Sequence, residues 1–244
     1  MTSHVEHVMG TVFSFSVRDP GPRTAGALSR IVDRLHRIDA VFSPYRPDSE
    51  ISRLDRGELR PADCDPEVRW VLERCAELAA ETDGYFSDRP GGRLDPSGFV
   101  KGWAVQEASR ALRAAGSADH CVSGGGDVQT AGGPWRVGIA DPHREGAVAR
   151  VVAGHDLAVA TSGTAERGPH ILDPHTGRPA TGFASLTLLG PGLARLDALA
   201  TAAFAMGPSR ATAWLAARGV PALAVLPDGT QTETPGFAGY AGRG

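Results

Sequence analysis

The sequence predicts an α+β fold in which antiparallel strands are flanked by helices. Two observations carry this expectation. Apolar residues at helical spacing dominate the first half of the chain, whereas short β-branched and aromatic runs separated by Gly and Pro follow one another from Asp119 onward. In addition, 244 residues at 41% hydrophobic and 22% charged are enough for a sizeable core and ordinary for a globular chain.

The elements follow in order. Val8 to Val17 reads as a strand, with Val12, Phe13, Phe15 and Val17 giving it bulk, and Pro20-Gly21-Pro22 ends it. From Arg23 to Val41 the apolar positions Leu28, Ile31, Val32, Leu35 and Ile38 recur at helical spacing, and a short helical turn fits Asp48 to Leu54. Asp65 before Pro66 suits a helix start, and an amphipathic helix runs from there to Thr82. Another helix spans Ser97 to Ala115. Between Asp119 and Val152 the runs HCVSGG, DVQTAG, WRVGIADP and VARVV read as an antiparallel meander. Leu157–Ala160, Ala184–Leu189 and Pro221–Leu226 read as strands, with helices over Leu193–Met206 and Ser209–Ala217. The Gly- and Thr-rich tail reads as loose.

A formal net charge of −3 gives no global attraction to nucleic acid or to an anionic membrane, so an anionic small molecule needs local cations or a metal. Three widely spaced cysteines, Cys64, Cys75 and Cys121, argue against a disulfide framework and a Cys-rich zinc site, which fits a reducing compartment. No apolar run reaches the length of a membrane span, and the N-terminal residues lack the basic and apolar regions of a signal peptide, so membrane insertion is not expected.

Four segments hold residues suited to chemistry. Ala160–Pro179, ATSGTAERGPHILDPHTGRP, brings Arg167, His170, Asp173, His175 and Arg178 onto a turn-rich stretch between strands; it is either a polar surface loop or a site aimed by a rigid scaffold. In LARLDALATAAFAMG, Asp197 and Thr201 stand four apart on one helical face. They could seat a hard cation such as Mg²⁺, or Asp197 could simply solvate the helix. In LDPSGFVKGWAV, Asp95 and Ser97 precede Lys101, so helix N–H groups and an ammonium could hold a phosphate; a plain helix cap is the other reading. Gly124, Gly125 and Gly126 before Asp127 read first as a tight hairpin, since the dinucleotide-binding glycine pattern is missing. Zinc-protease histidine pairs, a Walker A loop and a serine nucleophile elbow are also missing. Tyr45 could stack on a planar ring or pack in the core.

In this order these segments resemble the ApbE family, the FAD:protein FMN transferases. The resemblance runs from Val8 to Met206. It rests on MGT at Met9–Thr11, FSPYRPDSEIS at Phe42–Ser52, DGYF at Asp83–Phe86, LDPSGFVKGWAV, SGGGD at Ser123–Asp127, WRVGIADP at Trp135–Pro142, the His-bearing stretch and LDALATAAFAMG.

The resemblance implies a T-fold-like core with a ligand cleft between two lobes, formed by residues 1–244 as a single domain. It implies Mg²⁺-dependent transfer of the FMN moiety of FAD to a threonine hydroxyl of an acceptor protein, with AMP released. By matching position, Asp197, Thr201 and a backbone oxygen near Gly98 are the metal ligands. Met9, Tyr45, Phe86, Ser87, Asp95, Lys101 and Leu172 fall at FAD contacts. His170 matches the histidine of the family's H-I-[IL]-D-P motif and is the nominated base, with Asp173 as the alternative. Departures are visible: Ser87 stands where the family's G-x-F-D motif has Asp, Phe86 and Leu94 lie close together where most members carry a long insert, and Ala165 replaces an aromatic. Many members carry a lipoprotein signal, and its lack here implies a cytoplasmic acceptor or a different export route, with a cytoplasmic setting expected. An FAD pyrophosphatase giving FMN and AMP, and a flavin-binding protein without turnover, are the alternative functions.

Overall fold

The computed structural model describes residues 1–165 and 168–242; Arg167, singled out in the His-bearing stretch, lies outside the described residues. Twelve strands and six α-helices are found among them. The strands are β1 (Thr2–Val8), β2 (Thr11–Val17), β3 (His120–Gly124), β4 (Asp127–Ala131), β5 (Trp135–Ala140), β6 (Val148–Gly154), β7 (Ala158–Gly163), β8 (Leu172–Asp173), β9 (Arg178–Pro179), β10 (Ser185–Gly190), β11 (Ala222–Val225) and β12 (Gln231–Glu233). The helices are α1 (Thr24–Phe42), α2 (Glu50–Asp55), α3 (Pro66–Glu81), α4 (Ser97–Ala114), α5 (Leu193–Met206) and α6 (Pro208–Ala217).

An antiparallel sheet of eight strands, in the order β1-β2-β3-β4-β7-β10-β11-β12, forms the backbone of the molecule. Strand alternation divides its two faces. Phe13, Phe15, Val122, Ala158, Ala160, Leu186, Leu188, Ala222 and Ala224 point to the helices and share one core with them. Val159, Leu189 and Leu223 point the other way, into a second core closed by Val137, Ile139 and Val152 of the β5–β6 hairpin and by Phe237. Strand β10 is buried at every position because both its faces are covered, whereas β2 alternates. On α1, Leu28, Ile31, Leu35 and Ile38 are all buried, as their spacing requires. Each such burial is worth about 1.5–3 kcal/mol.

Several expectations are corrected. The first strand is a hairpin: Met9 and Gly10, both with positive φ (56° and 67°), turn the chain back, and Thr2–Val8 pairs along its length with Thr11–Val17. Strand β1 is not apparent in the sequence because it is an edge strand in which only Val8 is fully buried, so it carries no apolar run. The predicted meander stops after β4. The β5–β6 hairpin leaves the main sheet and packs on its second face, and β4 pairs instead with β7. The tail is ordered: Gln231–Glu233 pairs with β11, Thr234 Oγ1 accepts the Ala222 N–H at 2.7 Å, and Phe237 is 2% exposed. Composition signalled a loop there, but β11 needed a partner for its outer edge.

His120, fully buried, pins β3 to α4. Ser117 donates its hydroxyl proton to Asp19 Oδ1 at 2.7 Å, so its oxygen accepts from His120 Nδ1 at 3.0 Å; His120 Nε2 is then the acceptor for Ser109 at 2.9 Å. Burial pushes the His120 pKa down, because no water replaces the solvation of the charged ring. The unfolded chain therefore binds a proton that the folded chain refuses. Stability from this group is full above about pH 6.5 and falls as the pH drops below that value. Chemical denaturation at pH 7.5 and pH 5 should show the loss, and His120→Gln should flatten that part of the pH dependence.

Candidate active site

The chemistry-bearing segments converge at one end of the main sheet. Antiparallel pairing brings the β1–β2 turn, the β3–β4 turn and the end of β7 to the same edge. Gly125 and Gly126, with φ of 56° and 85°, make the two-residue β3–β4 turn that Asp127 follows. A β-carbon at Gly125 would lie 3.2 Å from Thr11 Oγ1 and 3.3 Å from the Lys101 side chain, so the turns and the lysine stem are in direct contact.

Helices α4 and α5 run antiparallel across this end: Gly98 lies against Thr201, and Gly102 against Asp197. The approach is close. A β-carbon at Gly102 would stand 2.7 Å from Asp197 Cβ and 2.9 Å from the Leu193 carbonyl. Glycine lets the Gly102 N–H reach Asp197 Oδ2 at 3.0 Å. Lys101 Nζ, one residue earlier, donates to Asp197 Oδ2 at 3.1 Å and also to Asp127 Oδ2. Both carboxylates are buried, Asp197 at 3% exposed and Asp127 at 0%, and Lys101 is half-buried above them. Asp127 Oδ1 accepts the Thr161 N–H at 2.9 Å, and Thr161 Oγ1 is 2.9 Å from Thr187 Oγ1. The cluster therefore joins α4, α5, β4, β7 and β10.

The other predicted residues are placed as follows. Phe86 is buried, its ring 3.3 Å from a β-carbon at Gly98, so it walls the start of α4. Ser87 Oγ accepts the Arg89 N–H at 3.0 Å. Asp95 Oδ1 accepts the Ser97 N–H at 3.0 Å, closing a local turn at the entry to α4, whose cap position is Pro96. Met9 packs its side chain partly against the main core from the β1–β2 turn. Leu172 lies in β8, beside α5 and against Gly91. Tyr45 stands apart at 85% exposed.

His170 and Asp173 are both in the β7–β10 connection but differ in what holds them. His170 is exposed, and its Nδ1 lies 2.9 Å from the Gly168 carbonyl, which can only accept; Nδ1 therefore carries the proton and Nε2 has a free lone pair. Asp173 is a turn maker. Its Oδ1 accepts the His175 N–H at 2.9 Å and its Oδ2 accepts from Thr176 Oγ1 at 3.0 Å. His175 packs edge-on against Tyr85, with ring centroids 4.4 Å apart.

Asp127 and Thr161 are the site residues that sequence reasoning passed over. Asp127 was visible only as the residue after a glycine run, and a carboxylate there reads equally as turn chemistry. Its partner Lys101 lies 26 positions away.

The donors suit a hard cation. Asp197 supplies a carboxylate, Thr201 a hydroxyl and Gly98 a carbonyl, all oxygen. Among the described residues no group of three or more His, Cys, Asp or Glu gathers to hold a metal ion.

Two ApbE structures share this fold. The flavin transferase ApbE from Vibrio cholerae matches with a TM-score of 0.85 over 98% of both chains at 22% identity. The ApbE protein of Thermotoga maritima matches with a TM-score of 0.86 over 99% of both chains at 24% identity. The architecture is thus the α+β fold of the ApbE structures. In sequence, the ApbE family matches residues 9–87 and 87–224, and the chain belongs to that family. The FAD:protein FMN transferase of Vibrio cholerae is 26% identical over 299 residues, covering 96% of this chain and 88% of the relative. That of Escherichia coli is 29% identical over 245 residues, covering 94% and 68%. That of Rhodobacter capsulatus is 37% identical over 164 residues, covering 61% and 31%.

The contact between α4 and α5 is testable by itself. Gly102→Ala should destabilise the protein by about 1–3 kcal/mol, because backbone on the facing helix must move. Gly98→Ala, meeting only the Phe86 ring edge and Thr201, should cost clearly less in the same thermal melts.

Proposed function

We propose that this chain is an FAD:protein FMN transferase that moves FMN from FAD to a threonine hydroxyl of an acceptor protein and releases AMP. The observation that carries this reading is the Lys101–Asp127–Asp197 cluster, with Gly98 facing Thr201 one helical turn away along the same pair of helices. Its support from relatives is that those matched over most of the chain bear this name.

Asp197, Thr201 and the Gly98 carbonyl would hold Mg²⁺, which when bound supplies positive charge against the FAD diphosphate. Lys101 and the N–H groups at the start of α4 hold the same diphosphate from the protein side. Met9 and Leu172 offer apolar surface along the nucleotide, and the buried Phe86 backs the start of α4 behind it. Tyr45, being exposed, is available to cover the flavin. The acceptor threonine Oγ attacks the FMN-side phosphorus. A new P–O bond forms to threonine as the P–O bond to the bridging oxygen breaks, and AMP departs with that oxygen. The threonine proton passes to His170 Nε2, the nitrogen left free by the Nδ1–Gly168 contact. Asp173 keeps the loop's turn and is not the base.

The test is mass spectrometry of threonine-bearing acceptor proteins incubated with enzyme, FAD and Mg²⁺. An FMN adduct on threonine with AMP released is expected, and both should vanish with EDTA or in Asp197→Ala. His170→Ala should slow transfer by about 10²–10⁴-fold. Undiminished transfer would remove His170 from the base role, and AMP with FMN formed in the absence of any acceptor would make the protein an FAD pyrophosphatase.

A further inference from the structure

Asp127 is the most deeply buried charge of the cluster, and flavin transfer as proposed gives it no task. We infer that Asp127 is a positioning residue for divalent-cation binding: it retains the Lys101 ammonium, so that Asp197 is released to the cation. The inference rests on the proposed transferase reading only for the presence of a cation beside Asp197.

Three features lead there. First, one ammonium serves two buried carboxylates, since Lys101 Nζ donates to both Asp127 and Asp197. Lys101 is thus already a cation seated on the carboxylate that a divalent ion needs. Second, the two carboxylates are held differently. Asp127 has both oxygens engaged, one by Lys101 and one by the Thr161 backbone, with no exposed surface through which water could stand in. Among the described residues both hydrogen bonds to Asp197 fall on Oδ2, so Oδ1 is the oxygen it can offer without losing either. Third, lysine is a point charge on a flexible stem, here passing beside Gly125, so the ammonium can shift while keeping one partner. A cation arriving at Asp197 repels the ammonium, which stays buried only if a fixed anion remains beside it. Asp127 is that anion. Without its charge, Lys101 has Asp197 as its sole carboxylate in the cluster and competes with the metal for it.

The experiment measures Mn²⁺ binding by electron paramagnetic resonance on the purified full chain without FAD, so that loss of a diphosphate contact of Lys101 does not enter the result. Asp127→Asn keeps an oxygen for the Thr161 N–H and removes only the charge. It should weaken Mn²⁺ binding about 10- to 100-fold, the range seen when an outer partner of a metal ligand is lost. Lys101→Met, which deletes the competing ammonium, should bind Mn²⁺ at least as tightly as the parent. The double variant should recover most of what Asp127→Asn loses. An Asp127→Asn protein with parental Mn²⁺ affinity overturns the inference, as does a double variant no tighter than Asp127→Asn. Should Asp127→Asn fail to fold, Lys101→Met decides alone, and binding weaker than the parent overturns the inference. These outcomes separate from those of the transferase reading. A parent protein that transfers no FMN yet shows this Mn²⁺ pattern supports the inference and sinks only the transferase reading. Active transfer with unchanged Mn²⁺ affinity in Asp127→Asn does the reverse.

Discussion

One ammonium shared by two buried carboxylates organises this molecule. Lys101 supplies the countercharge for both buried carboxylates, Asp127 and Asp197, and the two carboxylates in turn draw its ammonium to the sheet end. The requirement acts across the whole architecture, because the three side chains arise from α4, β4 and α5. Every element that orients them must therefore be correct at once, which is the kind of demand that selects one arrangement of helices over the sheet.

The surrounding structure serves that demand. Gly102 removes the side chain that would hold α4 and α5 apart, and its N–H becomes a ligand for Asp197. The paired glycines of the β3–β4 turn place Asp127 at the start of its strand and leave room for the Lys101 stem. Thr161, at the far side of Asp127, belongs to the strand that continues into the His170 connection. Charge placement and loop placement are thus the same problem, solved by a single hydrogen bond between a side chain and the next strand. The two apolar cores lie on opposite faces of the sheet and leave its end to polar groups.

The His170 loop shows the same division of labour at smaller scale. Asp173 spends both carboxylate oxygens on its own turn, which fixes the short β8–β9 pairing beside α5. His170 is oriented by a carbonyl and keeps one nitrogen free. The loop's two candidates thus differ in what they already hold.

Much of this was legible from the chain alone, for physical reasons that differ between elements. The helices announced themselves by periodicity, since α1 and α3 bury one face and α5 nearly all faces, and their limits agree with the predicted ones to within a residue or two. The pairing of Asp197 with Thr201 follows from helical geometry and needs no partner. Edge strands β1 and β12 were not legible, because a strand that buries little carries little apolar signal. Nor could local pattern reveal that the β5–β6 hairpin leaves the sheet, since pairing choices depend on which face lacks cover. Asp127 is the sharpest case: its neighbours in sequence describe a tight turn, and its role appears only when Lys101 and Thr161 arrive from distant segments. The sequence by itself determined the family, the helices and the residues able to do chemistry, because these rest on local spacing and residue type. Only the tertiary structure decided which charges share a buried site, because electrostatic partnership is set by distance in space, and chain order does not encode it.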